Sequence, residues 1–198
     1  ISTGEGGMLT TNNERFAVEA RKFAGLGFMN LTAGKSKMVA ITPQDFQRPD
    51  YVRHDRLGLN YRYNEFCAAV ALAQFERLDE IVSLRQAIGK LYDEVFRNTD
   101  FEPQDVPDDR SHSYFTYCIR APRRDELSKY LLENDIYSTL RYHPLHLNDL
   151  YKQTHISLQN SEKLNEDALS IPLHPGLSDR DVSKVADKVC LLYTSDAA

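Results

Sequence analysis

Asn64-Glu65-Phe66-Cys67-Ala68-Ala69-Val70-Ala71-Leu72-Ala73-Gln74-Phe75-Glu76-Arg77-Leu78 opens the strongest helical pattern in the chain. Cys67, Val70, Ala71, Gln74, Phe75, Leu78, Ile81, Val82, Ile88, Leu91 and Val95 recur at three- and four-residue spacing, the period of one helix face. Asn64 is placed to cap the start, since an asparagine side chain can accept from the first free backbone N–H groups. The pattern outruns an ordinary helix. It predicts two helices, or one long helix bent near Leu78-Asp79, and a helix of that kind reads as a connector between domains.

Upstream, the chain opens on Ile1-Ser2-Thr3-Gly4-Glu5-Gly6-Gly7-Met8-Leu9-Thr10-Thr11. Its clustered glycines between β-formers predict a tight hairpin whose backbone turns sharply or approaches another group closely. A strand at the very start would have nothing before it to anchor to, so the sequence reads as a fragment of a longer protein. Residues 13–23 then carry helical spacing through Phe16, Ala20 and Phe23, with Asn12 or Asn13 as cap and Gly25 and Gly27 as the stop. Residues 28–56 show little periodicity, and a loop of that length points to a functional or mobile segment.

Downstream, residues 103–110 form an acidic, proline-containing linker. A strand at 113–120, a helix at 124–134, a strand at 136–142, a helix at 161–168, a strand at 169–173 and a last helix from Ser178 follow. Ser178-Asp179-Arg180-Asp181 supplies a start resembling a capping box. That order predicts a small α+β or α/β domain. Residues 191–198 break the character of the last helix and resemble translated read-through, so they are set apart from the fold.

Composition narrows the function classes. A net charge of −5 argues against a nucleic-acid surface, which needs a basic patch. No run approaches the length of a membrane span. Cys67, Cys118 and Cys190 are far apart in apolar surroundings, which reads as reduced core thiols of a cytoplasmic protein.

Few residues offer chemistry. In Gly58-Leu59-Asn60-Tyr61-Arg62, the Asn60 amide and the Arg62 guanidinium fork suit a phosphate. A loop asparagine and a surface arginine paired with Glu65 would serve equally well. Tyr142-His143-Pro144-Leu145-His146 ends the expected strand, and its ring nitrogens and phenol could orient a substrate or move protons, or simply pack a turn. No further ligands stand near for a metal. His174-Pro175-Gly176 reads as a turn with one exposed imidazole. Glu5 could reach a neighbouring site or be solvated.

Four blocks, in order over almost the whole chain, resemble one family: residues 2–11; Gly58-Leu59-Asn60-Tyr61-Arg62 running into Ala68-Ala69 and Gln74-Phe75-Glu76-Arg77-Leu78; Tyr142-His143-Pro144-Leu145-His146; and residues 169–177. They are similar to the C-terminal half of the DegT/StrS-type sugar aminotransferases. The resemblance implies an α/β chain, the C-terminal part of a fold type I pyridoxal-phosphate-dependent transferase. It would comprise the end of a large domain at 1–78, a connector helix and linker at 79–110, and a small α+β domain at 111–190.

It also implies the cofactor pyridoxal 5'-phosphate, glutamate as amino donor, a nucleotide-linked keto sugar as acceptor, and a homodimer with shared active sites. By the resemblance, Asn60 and Arg62 reach the cofactor phosphate of the neighbouring subunit, and Tyr142 and His146 lie near the sugar nucleotide. The Schiff-base lysine of the family would stand upstream of Ile1, so no catalytic residue is named here and the chain alone is expected to be inactive. Some relatives carry histidine in place of that lysine and act as dehydratases, and a silent regulatory protein on the same fold is a further alternative. The segment 28–56 is longer than the family pattern, which leaves its part in sugar recognition open.

Overall fold

The computed structural model describes residues 1–33, 41–140, 142–151 and 156–194. Two compact units divide the chain at Arg77/Leu78, inside the long apolar pattern. That pattern is two helices, α3 (Glu65–Phe75) and α4 (Leu78–Phe96). No glycine or proline separates them. The break falls at Glu76, whose backbone N–H bonds the carbonyls of Leu72 and Gln74 and so tightens the last turn of α3.

The first unit, Ile1–Arg77, contains three helices among its described residues: α1 (Glu14–Ala24), α2 (Pro43–Gln47) and α3. Asn13 caps α1 by accepting from the Phe16 N–H at 3.2 Å, and the Gly25 N–H closes it on the Lys22 carbonyl. The expected opening hairpin does not form, because residues 1–11 contain no strand. Instead the start of the chain is tied to α3: the Ser2 N–H donates to Gln74 Oε1 at 2.9 Å, and the Cys67 thiol points to the Thr3 carbonyl at 3.2 Å. Gly4 and Gly6 still supply the turn, at φ 81° and 135°.

Within the loop 28–56, Thr42 and Asp45 form a reciprocal capping box that starts α2, while residues 34–40 lie outside the described residues. Residues 59–61 run antiparallel to the end of α1, with the Leu59 N–H on the Phe23 carbonyl at 2.6 Å and the Tyr61 N–H on the Ala24 carbonyl at 3.0 Å.

The second unit, Leu78–Ala198, has one core. Its antiparallel sheet runs β1 (Glu102–Pro103), β2 (Tyr117–Arg120), β3 (Ala168–Ile171), with Tyr117 opposite Ile171 and Ile119 opposite Leu169. Tyr117 and Ile119 alternate inward as a half-buried strand should. They meet Tyr92 and Phe96 of α4, Leu127 and Leu131 of α5 (Arg124–Glu133), and Val182, Val185 and Val189 of α7 (Asp179–Thr194) in one buried cluster. The stretch 79–110, expected as connector and linker, thus contributes α4 and β1 to this unit.

Sequence and structure part elsewhere in this unit. The strand expected at 113–120 forms only over Tyr117–Arg120, with Tyr114 in the left-handed region at φ 47°. Among the described residues of 136–142, the expected strand reduces to one bridge, Thr139 to Ser170, after a left-handed turn at Asp135 (φ 60°), and Tyr137 and Leu140 stay exposed. Also, α7 runs through to Thr194, past the expected break at 191; residues 195–198 lie outside the described residues. No helix among the described residues is long and apolar enough to cross a membrane.

Polar groups tie the core together. Asp93 on α4 accepts the Tyr117 hydroxyl at 2.5 Å and the Tyr114 hydroxyl at 3.1 Å, and Tyr92 donates to the Pro172 carbonyl at 2.9 Å. Arg85 brings Nη1 to the carbonyls of Tyr114, Phe115 and Leu173. Cys67, Cys118 and Cys190 form no disulfide among the described residues and are half-buried, and burial pushes the Cys118 and Cys190 thiols up, away from the thiolate.

Candidate functional site

Two groups of site residues were expected, one in each unit. Asn60 and Arg62 sit on the short stretch that leaves the end of α1 and enters α3, so their backbone is fixed from both sides. Behind it, Lys22 of α1 is 9% exposed and donates to Asp55 at 2.5 Å. The segments carrying Gly27 and Gly58 cross so tightly that a Cβ on Gly27 would meet the Arg56 carbonyl oxygen at 2.1 Å. Ahead of it, Asn64 caps α3 by accepting from the Cys67 N–H at 2.9 Å.

Arg62 is exposed and makes no hydrogen bond or ion pair among the described residues; the pairing with Glu65 is not made. It lines a cleft of about 380 Å³ together with Gly6, Gly7, Tyr61 and Tyr63. Gly6 matters there, since a Cβ on it would lie 2.3 Å from the Tyr63 ring. Asn60 is exposed too, and its side chain likewise has no partner among the described residues, but it stands beside this cleft and does not line it. A planar cation and an amide, both uncommitted, next to an open glycine backbone form a donor set suited to a phosphate dianion.

In the second unit, His146 belongs to the turn Leu145–Leu147 and its side chain is 8% exposed. Its Nε2 donates to Glu162 Oε1 at 2.9 Å, on helix α6 (Gln159–Asp167). His146 lines a cavity of about 640 Å³ with Pro144, Leu145, Tyr151, Leu158 and Ser161. Tyr142 is 77% exposed and is not among the residues around that cavity, so the two expected substrate residues do not converge on it. His174 is exposed, and its Nδ1 accepts the Gly176 N–H at 3.2 Å, the turn that its Pro-Gly context predicts.

Sequence reasoning missed Glu162, Lys22 and Asp55, and it read the glycines at 4, 6 and 7 as a sharp turn or a close approach to another group without naming the group. Glu162 stands in the first turn of α6 and accepts the Leu158 N–H at 2.8 Å, but Leu158 has no capping side chain, so no capping-box spacing announced it. Lys22 and Asp55 carried no local signal.

The family model of the DegT/DnrJ/EryC1/StrS aminotransferase family matches residues 1–190. The chain belongs to this family. The dTDP-4-dehydro-2,3,6-trideoxy-D-glucose 4-aminotransferase of Saccharopolyspora spinosa is 30% identical over 192 residues, which cover 95% of this chain and 48% of that protein. A pleiotropic regulatory protein of Geobacillus stearothermophilus is also 30% identical, over 199 residues that cover 96% of this chain and 48% of that one. Among solved structures, the aminotransferase TlmJ from Streptoalloteichus hindustanus superposes with a TM-score of 0.79 at 30% identity, covering 99% of this chain and 50% of that chain. The chain spans about half the length of the curated relatives it matches. Its fold is that of the C-terminal part of the fold type I transferases, as this DegT/DnrJ/EryC1/StrS membership requires.

Proposed function

We propose that the whole protein is a cytoplasmic, homodimeric sugar aminotransferase that uses pyridoxal 5'-phosphate to move an amino group from glutamate to a keto group of a nucleotide-linked sugar. Family membership supports the reaction class. The observation that carries the reading to this chain's own residues is the uncommitted Arg62 guanidinium lining one cleft with Gly6 and Gly7, with Asn60 two residues before it in the chain. Pyridoxal phosphate, when bound, supplies the electron sink for amino transfer. The chain's part is to bind and orient.

Arg62 holds the phosphate through a charge-assisted fork, and the Asn60 amide adds a directional donor. Gly7, where a Cβ would meet nothing within 4 Å, leaves its side of the cleft open for a phosphate to approach, while Gly6 lets the Tyr63 ring pack close beside it. His146, tethered to Glu162, and Tyr142 lie near the sugar nucleotide in this reading.

The test uses the whole protein, loaded with pyridoxal phosphate and then desalted. Arg62→Ala and Asn60→Ala should each weaken cofactor retention by about 1–3 kcal/mol, the range for a charge-assisted hydrogen bond. Amino transfer from glutamate to a dTDP- or GDP-linked keto sugar is followed by mass. Retention equal to wild type in both variants removes these residues from the phosphate site. The likeness to the Geobacillus regulatory protein favours a second reading, a regulatory protein on the same fold. Absence of a pyridoxal absorbance band in the loaded whole protein would select it.

A further inference from the structure

Glu162 collects donors on a single oxygen. Oε1 accepts from His146 Nε2 at 2.9 Å, from the Leu158 N–H at 2.8 Å and from the Ser157 hydroxyl at 3.4 Å. Those bonds, the one from His146 first, hold its carboxyl below the usual carboxylate range. An ionised carboxylate can only accept, so the nitrogen facing it must carry the proton. The Nε2 of His146 is therefore committed, and Nδ1 is left as the ring nitrogen with no partner among the described residues.

A nearly buried imidazole with one unused nitrogen is costly unless something pairs with it. Pro144, Leu145 and Leu158 on the surrounding walls offer no hydrogen-bonding side chain, and the hydroxyls of Tyr151 and Ser161, which also line the cavity, make no bond to Nδ1 among the described residues. The turn that carries His146 is only three residues long, so its orientation depends on what it is tethered to.

We propose that Glu162 is a positioning residue that fixes His146 in its Nε2–H tautomer, so that Nδ1 is presented as an acceptor to a hydroxyl of the nucleotide-linked sugar. This rests on the reading of His146 as substrate-facing. The imidazole then selects a donor, a sugar hydroxyl, over an acceptor at that position. The selectivity originates one residue further back, in the carboxylate that dictates which nitrogen is bare.

The test compares Glu162→Gln and His146→Gln in the whole, cofactor-loaded protein. Imidazole nitrogen–proton NMR correlations, assigned by the signal that disappears in His146→Gln, report the tautomer directly. Wild type should show His146 as Nε2–H. Glu162→Gln, whose amide can donate as well as accept, should show mixed tautomers. It should also raise KM for the nucleotide-linked keto sugar up to about tenfold, the size of one lost hydrogen bond, with kcat and the glutamate half-reaction unchanged. A purely structural role would lower stability without altering the tautomer. An unchanged Nε2–H tautomer in Glu162→Gln overturns the proposal. So does a raised KM in His146→Gln with wild-type KM in Glu162→Gln. If the tautomer mixes but His146→Gln leaves KM unchanged, the hold of Glu162 on the ring is upheld and the substrate-facing reading of His146 falls.

Discussion

Gly58 lies so close to Gly27 that a Cβ added to it would stand 2.2 Å from the Gly27 backbone nitrogen. Backbone is on the far side of that contact, so no side chain can swing away. Gly58→Ala should therefore force the two segments apart and destabilise the first unit by about 2–3 kcal/mol, the upper part of the overpacking range. Asn60 and Arg62 ride on the same stretch, so cofactor retention should fall with it. Urea unfolding and desalting after loading with pyridoxal phosphate check the two effects separately. Unfolding at the wild-type urea midpoint would rule the crossing out as a constraint.

The two phenols on Asp93 make that carboxylate a joint of the second unit. Asp93→Ala leaves the hydroxyls of Tyr114 and Tyr117 without their acceptor and should cost about 2–4 kcal/mol. Tyr117→Phe removes one donor and should cost less, about 1–2 kcal/mol. Equal unfolding midpoints for the two variants would show that the Tyr114 bond contributes nothing.

Burial pushes the Tyr92 phenol far up, and burial with the Asp93 hydrogen bond does the same for Tyr117. A folded pKa raised above the unfolded value of about 10 contributes stability that is fully present below pH 10 and lost as pH rises beyond it. Alkaline titration by phenolate absorbance should leave these tyrosines un-ionised until the unit unfolds. A smooth titration of all phenols with the fold intact would contradict this.

On the acid side the sign reverses. Asp45 and Asp181 are lowered by their bonds to Thr42 and Ser178, and Glu162 is lowered by His146. Such groups add stability above the unfolded carboxylate range, and it is lost as pH falls through the depressed values. Stability of Glu162→Gln should fall less steeply with falling pH than that of wild type, measured as the urea midpoint across the acid range. Parallel acid curves would remove Glu162 from the linkage.

Asn64→Ala deletes the cap of α3 and should cost about 1 kcal/mol. Because the capped turn begins two residues after Arg62, a second effect is expected: a modest loss of cofactor retention, smaller than that of Arg62→Ala. Retention lower than in Arg62→Ala would mean that Asn64 contacts the phosphate itself.

Helices were legible wherever one face carried enough apolar residues. In α4 the period read from Ile88, Leu91 and Val95 located the helix but not its buried face, which carries Tyr92 and Phe96 while Leu91 and Val95 stay exposed; Asn13 and Asn64 announce their caps. The five-residue α2 is too short for any period, although Thr42 and Asp45 mark it at capping-box spacing. The segment 136–142 misleads because it has β-forming composition without alternation: Ile136 is buried, but Tyr137 and Leu140 are both exposed. The polar residues that hold the site in place were hidden for a different reason. Lys22 meets Asp55 across 33 residues, and His146 meets Glu162 across 16. Pairs of that separation exist only after the chain has folded, so nothing local in the sequence announces them.

The sheet of the second unit is guarded against recruiting another chain. At one margin, β1 is two residues long and ends on Pro103, which has no N–H to offer a newcomer. At the other, the N–H and carbonyl of Ser170 are both taken by Thr139. A strand arriving from a neighbouring molecule would find one border too short and the other already engaged. Partially unfolded copies at high concentration therefore have little sheet edge on which to stack.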